Sequence, residues 1–153
     1  MLRMSKLTDY AALVMAHLAV DPERVHAAHE IALAVRVAQP TVTKVLKTLA
    51  RAGLLHSHRG TKGGYLLAAQ PRQITLAHVV QAMEGPIGLT ECGSKPGRCH
   101  QETTCATRGN WQSINQVVLD ALHNITLDQM ARPAPSYPVN WMPRREAGQI
   151  SRG

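Results

Sequence analysis

Residues 39–68 read QPTVTKVLKTLARAGLLHSHRGTKGGYLLA, and this stretch decides the fold. Its first part repeats apolar residues at spacings of three and four, which predicts a helix over residues 40–52 with a proline at its tolerant first turn. Gly53 stands where a helix C-terminal cap is expected. Two short strands, residues 54–58 and 65–68, are predicted on either side of a basic, glycine-rich turn.

The sequence before and after this stretch predicts further helices. Apolar spacing indicates helices over residues 5–20 and 27–35, and another that begins after Thr75 and stops at Gly85. A helix, a turn, a helix and then a basic hairpin are the order of a winged helix-turn-helix. The predicted fold class is therefore mainly α with a small β-hairpin.

A long helix is predicted near the end of the chain, over residues 109–124. Its apolar stripe comprises Trp111, Ile114, Val118, Ala121, Leu122 and Ile125. Thr126 and Gln129 fit a capping box, which predicts a separate short helix after the long one.

These elements divide the chain into four expected regions. They are a winged helix-turn-helix DNA-binding domain (residues 1–86), a cluster-binding cysteine segment (residues 87–108), a dimerisation helix with a short C-terminal helix (residues 109–131) and a disordered tail (residues 132–153).

The charge pattern favours a polyanionic partner. The chain has a formal net charge of +7, and no acidic residue lies between Glu30 and Glu84. Such a one-sign segment is typical of phosphate binding, so we expect double-stranded DNA as the partner. No apolar stretch approaches the roughly 20 residues that span a bilayer, and no signal peptide is recognised. We therefore expect a cytoplasmic protein with no membrane partner.

The candidate DNA contacts lie on the second helix of the motif and on the wing. Lys44 and Lys47 can reach bases or phosphates, and Arg59 at the narrow tip can enter a minor groove. The full predicted set is Gln39, Pro40, Thr41, Thr43, Lys44, Lys47, Arg59, Gly60 and Lys62. The alternative for the helix is that its basic side chains form the solvated face of an amphipathic helix.

Three cysteines, Cys92, Cys99 and Cys105, fall in one glycine- and proline-containing segment with intervening gaps of six and five residues. This is not the paired spacing of a zinc ribbon. Three thiolates can ligate an iron–sulfur cluster whose fourth ligand comes from elsewhere. The alternatives are a zinc site completed by His100 or His123, and a thiol switch without any cluster.

Several motifs resemble one known family. They are LTDYA at residues 7–11, RAGLL at residues 51–55, RGxxGGYxL from Arg59 and ITLxxVVxAxEGP from Ile74. Over about residues 2–131 the chain is similar to the IscR/NsrR family of bacterial iron–sulfur transcription regulators. The NWxxIN motif from Asn110, with the six-residue cysteine gap, resembles the branch that regulates the SUF iron–sulfur assembly operon.

The resemblance implies a homodimeric transcriptional regulator, a repressor of SUF genes, and not an enzyme with a small-molecule substrate. It also implies that the three cysteines are cluster ligands. Some members use a histidine three residues after the last cysteine, but Arg108 stands there in this chain. Others use an aspartate of the partner subunit at the position of Asp9, which we favour over His100 as fourth ligand. A [2Fe-2S] cluster is favoured over [4Fe-4S]. The alternative from another class is a cluster carrier that does not bind DNA.

Overall fold

The computed structural model describes residues 4–94, 97, 99–101 and 103–133, with Cys92 and Ser94 described by their backbone alone. The elements are α1 (Lys6–Leu18), α2 (Ala28–Val35), α3 (Gln39–Arg51), β1 (Leu55–His58), β2 (Gly64–Leu67), a 3-10 turn (Pro71–Gln73), α4 (Leu76–Glu84), α5 (Glu91–Ser94), α6 (Arg108–His123) and α7 (Leu127–Met130). The predicted fold class, mainly α with one antiparallel hairpin, is confirmed. We call α1–α4 and the hairpin the recognition head.

The recognition head is built around an aliphatic core, because the chain has no Phe to fill it. Each helix turns one apolar face inward, and α1, α2 and α4 all pack on α3. The predicted inward face of α3 is fully buried; it comprises Val42, Val45, Leu46 and Leu49. Burying a Val or Leu side chain contributes about 1.5–3 kcal/mol, so these residues fix α3 firmly in the head.

The end of α3 sets the path into the wing. Gly53 has φ of 78°, and the N–H of Leu54 donates to the carbonyl of Leu49 at 3.0 Å. This left-handed cap ends the helix and turns the chain into β1. The register pairs Leu55 with Leu67 and Ser57 with Tyr65, so the apolar ends of the hairpin return to the core.

The segment after the cysteines folds back onto the recognition head. The N–H of Leu76 donates to the carbonyl of Ile125 at 2.8 Å, and the N–H of Leu127 donates to the carbonyl of Ile74 at 2.9 Å. The side chain of Leu127 is fully buried in the same core as α1–α4. The connection through residues 85–107 is therefore held at both of its ends.

The structure also differs in detail from the sequence-based expectations. Residues 87–108, expected to be irregular, contain the short helix α5 and the first residue of α6. Thr75 is the N-cap residue of α4 as predicted, but its own side chain does not cap the helix; instead Nδ1 of His78 accepts from the Thr75 N–H at 3.1 Å. The predicted capping box at Thr126 is confirmed. Most of the predicted disordered tail, residues 134–153, lies outside the described residues.

None of the described helices is both long enough and apolar enough to cross a bilayer.

Candidate nucleic-acid interface and cysteine segment

The outer face of α3 forms a shallow groove of about 350 Å³. Its lining is polar or basic and consists of Pro40, Thr43, Lys44, Lys47, Thr48 and Arg51. Lys44 and Lys47 are exposed, and α3 carries no acidic residue in its first turn. The helix thus presents cations along one side while the opposite side is buried, which suits insertion into a groove of DNA.

The remaining predicted α3 contacts lie at its N-terminal end. Gln39 and Pro40 are exposed, whereas Thr41 and Thr43 are half-buried. Pro40 sits at the first turn, where its missing N–H leaves no hydrogen bond unmade. The structure therefore brings Thr43, Lys44 and Lys47 together in the groove and places Gln39 at its entrance.

The wing tip presents its cations to solvent. Arg59, Gly60 and Lys62 are all exposed. The turn closes through a hydrogen bond from the Gly63 N–H to the Gly60 carbonyl at 2.9 Å, and Gly60 has φ of 107°. That conformation favours glycine, so Gly60 permits the tight turn from which Arg59 and Lys62 project outward.

A third segment, the loop between α1 and α2, anchors the wing. The N–H of His26 donates to the Tyr65 carbonyl at 2.9 Å, and the Tyr65 N–H donates back to the His26 carbonyl at 2.8 Å. A Cβ at Gly64 would collide with that same carbonyl of His26. Sequence patterns do not predict this pairing, and only glycine lets the two backbones approach so closely.

The imidazole of His26 is buried and holds that loop in place. Arg24 lies 3.0 Å from Nδ1, and Nε2 lies 2.9 Å from the carbonyl of Asp21. Because a guanidinium only donates, the neutral ring accepts at Nδ1 and donates from Nε2. Burial is the largest cause that lowers the pKa of the neighbouring His17, and the charge of Arg24 lowers it further. The sequence indicated only that such histidines are structural or surface residues.

The cysteine segment is less tightly packed than the recognition head. Cys99 and Cys105 are half-buried free thiols, and Cys92 lies in α5. The Thr107 hydroxyl, 3.4 Å from Sγ of Cys105, is the main cause that lowers the pKa of that thiol. Asp9, in the first turn of α1, and His100 are exposed. Within the described ranges, no three His, Cys, Asp or Glu side chains are grouped closely enough to hold a metal ion.

Two contacts hold the chain at the start of the cysteine segment. Oε1 of Glu84, the last residue of α4, accepts from the Ser5 N–H at 3.0 Å and from the Thr8 hydroxyl. These bonds, with Thr8 the larger cause, lower the pKa of Glu84. Oδ1 of Asn115, a buried residue of α6, accepts from the Leu89 N–H at 3.0 Å. The segment is thus attached to α1 on one side and to α6 on the other.

Comparison with known proteins identifies the family. The sequence pattern of the Rrf2 family, described as an iron-dependent transcriptional regulator, matches residues 4–133. The chain belongs to this family. Relatives in this family are helix-turn-helix transcriptional regulators and not enzymes, which agrees with the sequence-based expectation at that level.

Solved Rrf2 structures and curated relatives resemble the chain over different lengths. The structure titled as CymR, the global cysteine regulator of B. subtilis, has a TM-score of 0.69 and 28% identity over 86% of this chain and 97% of its own. The structure of IscR from T. potens has a TM-score of 0.64 and 26% identity, over 89% of this chain and 95% of its own. The regulator IscR of Vibrio campbellii is 34% identical over 89 residues, 58% of this chain and 52% of that protein. The chain thus spans about half the length of the curated relatives it first matches.

Proposed function

We propose that this Rrf2 chain is an iron–sulfur-cluster-dependent repressor of iron–sulfur assembly (SUF) genes, which binds its operator as a homodimer. The observation that carries the proposal is the position of the three cysteines. They lie in one segment whose start is held near α1 by Glu84, three residues before it, and against α6 by the hydrogen bond from Leu89 to Asn115. A structural change in that segment would therefore be transmitted to both the recognition head and α6.

The donor chemistry of the segment fits a cluster. The thiolate is the form of cysteine that ligates iron, and the lowered pKa of Cys105 favours that form. Cys99 and Cys105 are also unbridged and accessible. Cys92, Cys99 and Cys105 would hold the cluster, of the [2Fe-2S] type. When bound, it would supply redox-sensitive iron–thiolate bonds that tie this segment together.

Asp9 is the proposed fourth ligand, supplied by the partner subunit in place of the less favoured His100. It is exposed in the first turn of α1, one residue after Thr8, whose hydroxyl donates to Glu84. That hydrogen bond holds the turn that carries Asp9 against the residue from which the cysteine segment begins. The carboxylate is therefore presented from a fixed helix rather than from a mobile loop.

The face of α6 supports the homodimer. Trp111, Ile114 and Val117 are 43%, 47% and 67% exposed, and they repeat at a spacing of three along one side of the helix. Val117 was not in the predicted stripe, whereas Val118 and Leu122 from that stripe are half-buried. Exposed apolar rows of this kind mark protein interfaces, and a twofold pairing would place two recognition heads on successive turns of DNA.

Anaerobic purification tests the cluster directly. We expect a coloured protein with iron and acid-labile sulfide, and loss of both when Cys99 is changed to Ala. A colourless protein with stoichiometric zinc would instead support a zinc-stapled regulator, and a metal-free protein whose DNA affinity follows thiol oxidation would support a cluster-free switch.

A DNA titration tests the regulatory coupling. We expect the cluster-bound and cluster-free forms to differ in affinity for the SUF promoter by 5- to 150-fold at fixed salt, which corresponds to about 1–3 kcal/mol. Equal affinities would overturn the switch. Intact function after the double change of Lys44 and Arg59 to Ala would favour a cluster carrier that does not need DNA.

A further inference from the structure

The turn of the helix-turn-helix contains a backbone conformation that is unfavourable for its residue. Arg36 ends α2 with φ of 55° and ψ of 40°, in the left-handed region. In the described part of the chain, the other positive-φ positions are occupied by glycine, namely Gly53, Gly60, Gly85 and Gly97. A Cβ makes this region costly, so glycine or asparagine would adopt it more easily than arginine.

The fold requires this conformation, whichever residue stands there. The Val37 N–H donates to the carbonyl of Ala32 at 3.2 Å, which closes the end of α2 before α3 begins at Gln39. Such a left-handed cap satisfies carbonyls that the helix leaves unpaired. The arginine side chain is therefore not needed to make the turn.

Contacts among the described residues do not compensate for the arginine. Arg36 is exposed, and across residues 4–94 and the other described positions its side chain has no ion pair or hydrogen bond. Its charge does lie at the C-terminal end of α2, where the helix dipole favours a cation, but that attraction is weak for an exposed group. A strained residue without an internal partner suggests an external one.

The position of Arg36 indicates what that partner is. It precedes Gln39, the first residue of α3, by three residues, and Pro40 at the end of the basic groove follows directly. In helix-turn-helix proteins the recognition helix enters the major groove by its N-terminal end, so the turn before it lies beside the DNA backbone. A guanidinium binds a phosphate through paired, charge-assisted hydrogen bonds.

We propose that Arg36 is a DNA-backbone contact that fixes the entry of α3 into the major groove, at the expense of strain in the turn. It lies outside the set of contacts that the sequence predicted on α3 and the wing. The contact is to a phosphate, so it positions the helix and does not read sequence.

Replacement by glycine separates the strain in the turn from the DNA contact, because it should raise the stability of the protein and lower its affinity for DNA. In Arg36→Gly we expect the Tm of the metal-free protein to rise by roughly 2–6 °C as the strain is relieved. We expect the Kd for a mixed-sequence DNA duplex to rise about 5- to 10-fold at low salt, and the salt slope of the homodimer to fall by about two, one for each subunit. Arg36→Asn, which tolerates the same backbone, should show the same loss of affinity with a smaller gain in Tm.

Two controls isolate the guanidinium from net charge. Arg36→Lys keeps the charge but cannot form the paired hydrogen bonds, so it should retain the salt slope and lose part of the affinity. Arg72→Asn removes the same charge from the exposed 3-10 turn, which packs against α7, and should leave the salt slope unchanged.

The outcomes distinguish this contact from DNA binding as such. If the wild-type chain does not bind the duplex, both the proposed DNA binding and the proposed role of Arg36 are overturned. If the wild type binds and Arg36→Gly binds with the same salt slope, or if Arg72→Asn loses as much, only the role of Arg36 is overturned. A lower Tm in both the glycine and asparagine variants would show that the turn is not strained.

Discussion

The recognition head and the cysteine segment are neighbours in the chain but are held by different interactions. In the recognition head, buried aliphatic side chains such as Val14, Leu46 and Val79 determine the structure. At the cysteine segment, the described fixed points are polar contacts near its start, made by Glu84 with Ser5 and by Leu89 with Asn115. The difference teaches that the reading surface is held by its aliphatic core, whereas the described part of the segment is held by a few polar contacts, which contribute less to stability.

The first prediction compares the effect on stability of one substitution in each region. Leu46→Ala should lower the free energy of unfolding by about 2–5 kcal/mol, because it leaves a cavity under α3. Cys99→Ala should change it by less than about 0.5 kcal/mol in the metal-free reduced protein. Urea unfolding of the two variants measures both. A large decrease in the free energy of unfolding of Cys99→Ala would contradict the comparison, because the cysteine segment would then contribute to stability as the core does.

The second prediction concerns the wing and its anchor. Gly64→Ala should cost about 1–3 kcal/mol and weaken DNA binding, because the new Cβ would collide with the backbone carbonyl of His26. Circular dichroism during thermal unfolding, with a DNA titration, measures both effects.

Gly109→Ala is the matched control for that variant. Gly109 lies in α6, and a Cβ there would have no atom within 4 Å. We expect it to be neutral or to stabilise the protein by at most about 1 kcal/mol, because alanine favours a helix. Similar losses from both variants would mean that His26 does not anchor the wing.

The third prediction concerns the attachment of α4 to α1. Glu84→Gln should cost about 1 kcal/mol at neutral pH, since it replaces a charged acceptor by a neutral one at a carboxylate that is partly open to solvent. The effect should depend on pH, because the pKa of Glu84 in the folded protein lies below its ordinary value of 4.5.

The sign of that dependence follows from linkage. A carboxylate whose pKa is lowered by folding contributes stability above its ordinary pKa, and the contribution is lost as pH falls through the lowered value. We therefore expect the difference between wild type and Glu84→Gln to shrink on going from about pH 6 to about pH 3. Glu23→Gln, a change at an exposed acid between α1 and α2, provides the control. A difference independent of pH would show that the carboxylate charge is not involved.

Periodic patterns in the sequence were sufficient to predict the recognition head. The predicted helix over residues 40–52 is observed as Gln39–Arg51, and the strands differ by one residue from their predicted bounds. These elements follow from apolar spacing and turn chemistry, which act between residues close in the chain. The basic side chains of α3 shared a face for the same reason.

The links between elements could not be predicted in this way. The hydrogen bond from Ser5 to Glu84 joins residues 79 positions apart in the chain. The pairing of His26 with Tyr65 is made by backbone atoms, which are the same whichever residues stand at these two positions. The strain at Arg36 is equally invisible, because an arginine ordinarily adopts a right-handed conformation. The cluster ligands remain a prediction, since the resemblance and the spacing suggest them but the described residues do not group them.

The fourth and smallest effect concerns the reactivity of one thiol. Alkylation of metal-free protein, followed residue by residue by peptide mass spectrometry, should show Cys105 reacting at lower pH than an ordinary cysteine, because the Thr107 hydroxyl lowers its pKa. Thr107→Val removes the hydroxyl but keeps the shape, so it should move the alkylation profile of Cys105 to higher pH.

Thr107→Ser tests whether the hydroxyl itself is responsible. It keeps the donor and should keep the wild-type profile, whereas loss of the shift in both variants would mean that threonine packing had positioned the thiol. Cys99, in the same segment, serves as the internal reference, and its profile should be the same in all three proteins. If Thr107→Val changes Cys99 as much as Cys105, the cysteine segment has rearranged as a whole. The contrast with the fixed recognition head would then lie in collective motion of the segment and not in the chemistry of one thiol.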